Sequence, residues 1–237
     1  MHYLPVLTTI ITFIFAAAVI NRFRVKHGAH LLFWSIGLLL YGLGALTEVV
    51  MLFTFNSLAL KVWYLSGAML TAAWLGQGTI NLLVRRRGIA PTLNIILIAV
   101  SILAVGLVFM APVTSAASTY NPGAPLSAQY QEILTRSGLM KLLTIFLNTY
   151  GTFTLVGGAI YSAYIFWRKR ILFNRMIGNI LIASGAILPA LGGTFIHAGL
   201  PDFLYLSEFL GAILMYFGFL QATVAVQVKT ASPASAD

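Results

Sequence analysis

The chain has 237 residues, of which 59% are apolar and 8% charged, and its mean hydropathy is +0.93. A soluble domain carries roughly a quarter charged residues, so this composition excludes a water-soluble fold. The sequence contains no cysteine, which excludes disulfides, thiolate nucleophiles and iron–sulfur sites. The formal charge of +9 does not indicate a nucleic-acid partner, because the basic residues flank hydrophobic runs as topology signals do.

Seven hydrophobic runs are long enough to cross a bilayer, since a membrane helix needs ~20 mostly apolar residues. The first run carries its charges after it, and no small-residue cleavage site follows, which is typical of a signal anchor rather than a cleaved signal peptide. We therefore expect an all-α, polytopic bundle of seven transmembrane helices over residues 1–229. The predicted spans are 3–20, 31–54, 60–84, 91–112, 142–167, 176–198 and 203–227.

The distribution of positive charge predicts the orientation. Eleven of the fourteen Lys and Arg residues would share one side, and only Lys61, Arg136 and Lys141 the other. All the basic clusters fall on one side only if the number of spans is odd, and the positive-inside rule makes that side cytoplasmic. The N-terminus is then outside and the C-terminus in the cytoplasm, in a bacterial inner (plasma) membrane. The eleven are Arg22, Arg24, Lys26, Arg85, Arg86, Arg87, Arg168, Lys169, Arg170, Arg175 and Lys229.

The one long loop, 113–141, is expected on the outer side. Its first part, 114–125, is rich in Ser, Ala, Gly and Pro and should be irregular. Its second part has apolar residues from Leu126 to Leu134 at helical spacing, which predicts a short amphipathic helix on the outer surface or an extension of the fifth span. The tail, 230–237, is expected to be a disordered cytoplasmic segment.

Small residues recur at helical spacing in three spans. Ala68, Ala72 and Gly76 form a small-xxx-small row on the third span, and Pro189 predicts a kink in the sixth. Small residues let helix backbones approach closely in lipid, so these positions predict helix packing. Glycines recur every seven residues on the sixth and seventh spans at Gly178, Gly185, Gly192, Gly211 and Gly218.

Two carboxylates lie inside predicted spans. Glu48 is about 25 Å along the second span from its inner start, and Glu208 lies about 8 Å below the outer end of the seventh, so both occupy one outer layer. Asn148 falls at a similar depth, with His197 and Lys61 close by. Ionisable groups at this depth indicate a functional site, so these five are the candidate ligand-binding residues. The alternative is structural: Glu48 pairs with Lys61 across a turn, and Glu208 touches interfacial water.

A second polar set lies nearer the cytoplasmic side. Gln77, Asn81 and Gln221 are neutral amides, which can join helices through hydrogen bonds.

Several membrane protein classes lack their required residues here. A retinal protein needs a lysine midway along the seventh span, where the nearest lysine is Lys229. Intramembrane zinc hydrolases need several histidines within the spans, and only His197 lies in one. No catalytic or metal-binding set emerges, which makes an enzyme the less favoured class, and no cofactor is indicated.

The region 22–88 resembles the N-terminal seven-helix sensor region of some bacterial histidine kinases and diguanylate cyclases. The similarity lies in a basic first loop (21–24, NRFR), a Leu-, Trp- and Gly-rich helix ending in an acid (41–48, YGLGALTE), a helix opening with aromatics (60–64, LKVWY) and a basic exit (85–88, RRRG). The chain departs from that family at Ala72 and Ala73, where the family often has a proline. The resemblance implies a sensor, and since the chain ends soon after its last span, we expect its output domain to be a separate protein.

Three functional hypotheses follow. The first is a free-standing seven-helix sensor or receptor-like protein that binds a small or lipophilic ligand, or a partner, near its outer face, while its basic loops contact anionic lipid or a separate signalling protein. The second is an accessory structural subunit of a larger membrane complex, in which the polar residues only pack. The third is a transporter or a membrane enzyme acting on a lipid-like substrate.

Overall fold

The computed structural model describes residues 3–169, 173–197 and 202–223, with the backbone alone at 193–197 and 202. Seven of its helices are long and apolar enough to cross a membrane, which confirms the predicted all-α fold with seven candidate spans. The predicted end of the seventh span at 227 and the tail 230–237 lie outside the described residues. The helices are α1 (Leu4–Lys26), α2 (Ala29–Met51), α3 (Ser57–Leu83), α4 (Ile89–Met110), α5 (Leu126–Ile133), α6 (Gly138–Arg168), α7 (Phe173–His197) and α8 (Asp202–Thr223).

Local signals in the chain set the helix ends. The first helix runs on through the basic segment to Lys26 and stops at His27, whose φ of 48° is left-handed and whose N–H donates to the Phe23 carbonyl. The Asn56 side chain caps α3 by accepting from the Ala59 N–H at 2.9 Å. The Ser137 hydroxyl caps α6 in the same way. These caps satisfy backbone donors that a helix start leaves unpaired.

Six of the long helices form a closed ring. Following the chain, α1, α2, α3, α6, α7 and α8 each pack on the next, and α8 returns to α1. The remaining long helix, α4, packs mainly on α3 outside the ring, and only 17% of its apolar window is buried. The ring therefore has an interior, and α4 lies at its periphery.

The third ring helix contains a wide turn. Residues Tyr64–Leu70 are π-helical, and the Thr71 N–H donates to the Ser66 carbonyl five residues back. At the same level a Cβ on Gly44 of α2 would lie 2.9 Å from the Gly67 Cα. Two glycines thus let α2 and α3 approach closely beside the wide turn. Single π turns inside α-helices often mark functional sites.

Small residues bring the helix backbones together elsewhere in the ring. On α3, a Cβ on Gly76 would lie 2.8 Å from the Gly151 carbonyl of α6, so the row of small residues faces α6. Between α7 and α8, a Cβ on Gly178 would lie 2.6 Å from the Gly218 carbonyl. The helix α7 stays helical through Pro189, whose ring packs on Gly211 of α8.

The long loop folds back over one end of the ring, which we call the loop end; the other, bearing the Arg clusters, is the basic end. The loop is closed by an antiparallel bridge between Val113 and Leu134. Its second part forms α5, a separate helix rather than an extension of α6. The apolar face of α5 packs on the bundle, with Leu126 and Ile133 buried. The predicted short amphipathic helix is thus present, and with the rest of the loop it forms a cap over this end of the ring.

Two tyrosines attach this cap to the ring. The Tyr120 hydroxyl donates to the Met51 carbonyl at the end of α2 at 3.0 Å. The Leu126 N–H at the start of α5 donates to the Tyr205 hydroxyl of α8, also at 3.0 Å. Burial, with a smaller effect from the nearby Glu48, raises the pKa of Tyr120 to about 12. Its hydroxyl is therefore protonated, and able to donate, throughout the physiological range.

Candidate ligand-binding cavity

A cavity of about 530 Å³ lies inside the ring beneath α5. Its wall is built from α2, α3, α5, α6, α7 and α8, so residues far apart in sequence meet there. Three of the five candidate ligand-binding residues line it, namely Glu48, Asn148 and Glu208. Of the predicted packing residues, Ala68, Ala72 and Pro189 also line it.

Glu48 reaches the cavity from the loop end of α2. Its side chain is only 3% exposed. One carboxyl oxygen, Oε1, accepts from the Trp63 Nε1 at 2.7 Å. The other, Oε2, is buried and has no hydrogen-bond partner among the described residues. A buried carboxyl oxygen left unpaired is costly, so this atom marks a position where a donor from a ligand would be favourable.

Glu208 lies on the facing helix, α8. It lines the same cavity as Glu48. The hydroxyl of Tyr41, two turns before Glu48 on α2, donates to the Glu208 backbone carbonyl at 2.7 Å. This bond fixes α8 against α2, and with it the position of Glu208.

Asn148 joins α6 to the π-helical turn. Its Nδ2 donates to the Ala68 carbonyl at 2.7 Å and to the Thr144 carbonyl at 3.0 Å. A π turn shifts the backbone hydrogen-bond register, so some carbonyls near it lose their usual helical partner. The Asn148 amide donates to one carbonyl in this turn, that of Ala68. Asn148 therefore supports the cavity wall where α3 is widest.

Lys61 does not join this group. Its Nζ donates to the Phe109 carbonyl at the end of α4 at 2.8 Å, on the exposed side of α3. Two residues apart on a helix point about 200° away from each other, so Trp63 facing Glu48 turns Lys61 outward. The ion pair considered in the structural alternative is not formed. The side chain of His197 lies outside the described part of the chain.

The further lining residues, which were not among the predicted site residues, include Tyr41, Trp63, Ser127 and Tyr130. Tyr41 could have been found, because it precedes Glu48 by two helical turns and shares its face. Ser127 and Tyr130 belong to α5, and only the folding of the loop over the ring places them there. The hydroxyl of Ser127 is buried and without a hydrogen-bond partner among the described residues.

The bottom of the cavity is apolar. Leu75, Leu155 and Met215 line it and also belong to the core that continues toward the basic end. Beneath them lies a void of about 40 Å³ with wholly apolar lining. Within the described residues, the wall of the cavity toward the basic end is therefore apolar.

One side of the cavity reaches the surface of the bundle. Its wall there includes Thr149 and Phe153 of α6 and Ala190 of α7, all of which are exposed. Phe153 is 75% exposed. Within the described residues, the wall formed by α6 and α7 therefore includes residues that also reach the outer surface of the bundle.

A separate polar network lies nearer the basic end. Gln77 is fully buried, and its amide donates to Asn94 of α4 at 2.6 Å and accepts from the Tyr150 hydroxyl of α6. Asn81 also bonds Asn94. These bonds join α3, α4 and α6, as expected of interhelical amides. Gln221 is not part of the network, since its amide donates to Asn174 at 3.4 Å.

The described residues contain no group of three or more His, Cys, Asp or Glu side chains that could hold a metal ion. Comparison with known protein families, characterised proteins and solved structures found no significant match.

Proposed function

We propose that the chain is a receptor-like sensor of the inner membrane that binds a small, lipophilic ligand in the cavity beneath α5. The observation that carries this proposal is a cavity lined by two carboxyl side chains, Glu48 and Glu208, one of which has a buried oxygen without a hydrogen-bond partner among the described residues. Its volume of about 530 Å³ is within the ~300–1,000 Å³ of small-molecule sites. The proposed entry route from the bilayer is between α6 and α7, where lining residues are exposed to the surroundings of the bundle.

The proposed signal is a change in helix packing. A ligand in the cavity would touch α2, α3, α7 and α8 together, so its binding favours one arrangement of these helices over another. The Pro189 ring lines the cavity and packs on Gly211. Occupancy would therefore act where α7 and α8 meet, and both helices continue to the basic end.

The proposed orientation places the loop end outside and the basic end in the cytoplasm. The Arg clusters would then lie against anionic lipid headgroups, which attract basic segments near the membrane surface. A separate signalling protein would receive the output, as the resemblance to sensor regions of kinases and cyclases implies.

Two observations favour the sensor over its rivals. An accessory subunit would be supported by a row of small residues facing lipid, but Gly76 of that row faces Gly151 within the bundle. A transporter would need a polar path to the basic end, and among the described residues the floor of the cavity is apolar instead.

The test is to fill the cavity with a large side chain and to measure which bound small molecules the protein loses. Thr152 lines the cavity from α6, whereas Ile160 on the same helix is exposed. The native protein, Thr152→Trp and Ile160→Trp are purified in mild detergent, and small molecules extracted from each are identified by mass spectrometry. We expect a molecule that accompanies the native protein and Ile160→Trp and falls about tenfold, or 1.4 kcal/mol of binding, in Thr152→Trp.

The opposite result would be equal small-molecule content in all three proteins, with other membrane proteins co-purifying in fixed ratio. That result would contradict the sensor hypothesis and support the accessory-subunit hypothesis.

A further inference from the structure

We propose that the cavity accepts a small organic cation, an ammonium group joined to an apolar body, with its charge held between Glu48 and Glu208. The inference rests on the proposed ligand-binding function and adds the chemical class of the ligand.

The first argument is the charge of the cavity wall. Two carboxyl groups line it, and no Lys, Arg or His is among its lining residues within the described part of the chain. Lys61 is turned away toward the Phe109 carbonyl. Arg136 sits over the Tyr130 ring at 4.9 Å and donates to Gln131 at 3.2 Å, outside the cavity. A cation is the ligand that would compensate two carboxyl groups held between low-dielectric walls.

The second argument is the pair of unsatisfied polar atoms. Glu48 Oε2 and Ser127 Oγ are both buried and without a partner among the described residues, and both residues line the cavity. They belong to α2 and α5, so two separate elements each present a buried oxygen that lacks a hydrogen-bond donor. Each oxygen can accept a hydrogen bond, and an ammonium group carries only donors. A ligand of this class would supply the donors that both atoms lack, once small side-chain rotations turn the two oxygens toward the cavity.

The third argument is the apolar and aromatic remainder of the wall. Trp63 and Tyr130 flank the polar part, with ring centroids 5.1 Å apart in an edge-on arrangement. Because the Arg136 guanidinium already lies over the Tyr130 ring, Trp63 is the aromatic side chain whose face would attract an ammonium group. Leu75, Leu155 and Met215 form an apolar floor that suits a hydrocarbon body.

A bare metal ion fits this wall poorly. Calcium takes roughly six to eight oxygen ligands, and the described residues offer no group of three or more candidate ligand side chains. The same apolar floor that suits a hydrocarbon body would supply no ligands to an ion. An organic cation is therefore the class that uses both halves of the cavity.

The chain suits cysteine labelling, because it has no cysteine of its own. Thr152→Cys places one thiol on the cavity wall, and Ser118→Cys places one on the exposed part of the loop as a reference. Each protein, in lipid nanodiscs, is treated with aminoethyl (cationic), sulfonatoethyl (anionic) and methyl (neutral) methanethiosulfonate. The measured quantity is the cation-to-anion ratio of labelling rates at Thr152→Cys, divided by the same ratio at Ser118→Cys.

We expect this normalised ratio to be about tenfold or greater, the lower end of what charge focusing produces. Glu48→Gln and Glu208→Gln, each added to Thr152→Cys, should reduce it several-fold. Glu132→Gln is the matched control, since Glu132 is an exposed carboxylate of α5 that does not line the cavity, and it should leave the ratio unchanged. Using two separate glutamine variants keeps the test valid if one of them folds poorly.

Two contrary results are separable. If the neutral reagent labels Thr152→Cys but the cationic reagent is no faster than the anionic one, the cation proposal fails while an accessible binding cavity remains. If the neutral reagent does not label Thr152→Cys at all, the cavity is closed and the proposed ligand-binding function fails with it.

Discussion

At the residue scale, Glu48 is held by a tryptophan and not by a lysine. The Trp63 Nε1 donates to one carboxyl oxygen at 2.7 Å, inside the bundle, while the Lys61 Nζ bonds a carbonyl on its exposed side. A buried hydrogen bond to a carboxyl group contributes more than an exposed contact of a surface ammonium. The energetic importance of the two neighbours should therefore differ sharply.

Replacing these two residues separately checks that difference. Trp63→Phe keeps an aromatic ring but removes the donor to Glu48 Oε1, so we expect a loss of about 1–3 kcal/mol. Lys61→Met should change stability by no more than about 0.5 kcal/mol, as surface substitutions usually do. Thermal unfolding in a single detergent compares them. A larger loss of stability in Lys61→Met than in Trp63→Phe would instead support an ion pair between Lys61 and Glu48, which this structure does not contain.

The sequence could locate Glu48, Asn148 and Glu208, because a polar group in an apolar span is conspicuous and its depth follows from the helical rise. It could not assign Lys61, because depth alone does not tell which side of a helix a residue faces. Ser127 could not be predicted for another reason. A loop residue enters the cavity only if the loop folds back over the ring, and the composition of the loop is equally compatible with a segment on the membrane surface.

At the element scale, close helix contacts depend on individual glycines. A Cβ on Gly151 of α6 would collide with the backbone of Ala72 on α3, and backbone atoms cannot move aside as a flexible side chain can. Gly157 lies on the same helix, and a Cβ there would meet nothing within 4 Å. The two glycines therefore serve different purposes, although the sequence presents them alike.

Two alanine substitutions separate those purposes. Gly151→Ala should push α6 away from α3 and cost about 1–3 kcal/mol, the usual range for overpacking. Gly157→Ala should be neutral or stabilise by up to about 1 kcal/mol, since alanine is the better helix former. The melting temperatures of both variants in detergent give the comparison. Equal effects at the two positions would mean that α3 and α6 do not touch at Gly151.

At the scale of the whole molecule, the chain closes a ring of six helices and leaves α4 outside. The sequence predicted the number of long helices, because hydrophobic length is a strong signal. It did not predict which helices are neighbours, since the apolar surfaces of α1, α4 and α8 are alike in composition and only packing distinguishes them. The closure of α8 onto α1 and the peripheral position of α4 are thus new information from the structure.

The sidedness of this ring can be measured with fusions to a reporter that is active only outside the cytoplasm. We expect activity for fusions at Met1 and within 115–125, and none at Gly88, Lys169 or Asp237, because positive charge is retained on the cytoplasmic side. Fusions at Ser118 and Gly88 form the most direct pair, since α4 separates them. Activity at Asp237 would contradict the odd number of crossings.

The π-helical turn at Tyr64–Leu70 divides α3 into two α-helical segments, one rotated about the helix axis relative to the other. Toward the basic end, Gln77 faces the amide network; toward the loop end, Trp63 faces Glu48. One residue advances a regular helix by about 100°, so the extra residue in the wide turn sets the rotation of the loop-end segment independently of the rest. A chain shorter by one residue there would keep the amide network but rotate Trp63 away from Glu48. The length of this short segment, as much as the identity of its side chains, therefore specifies the wall of the cavity.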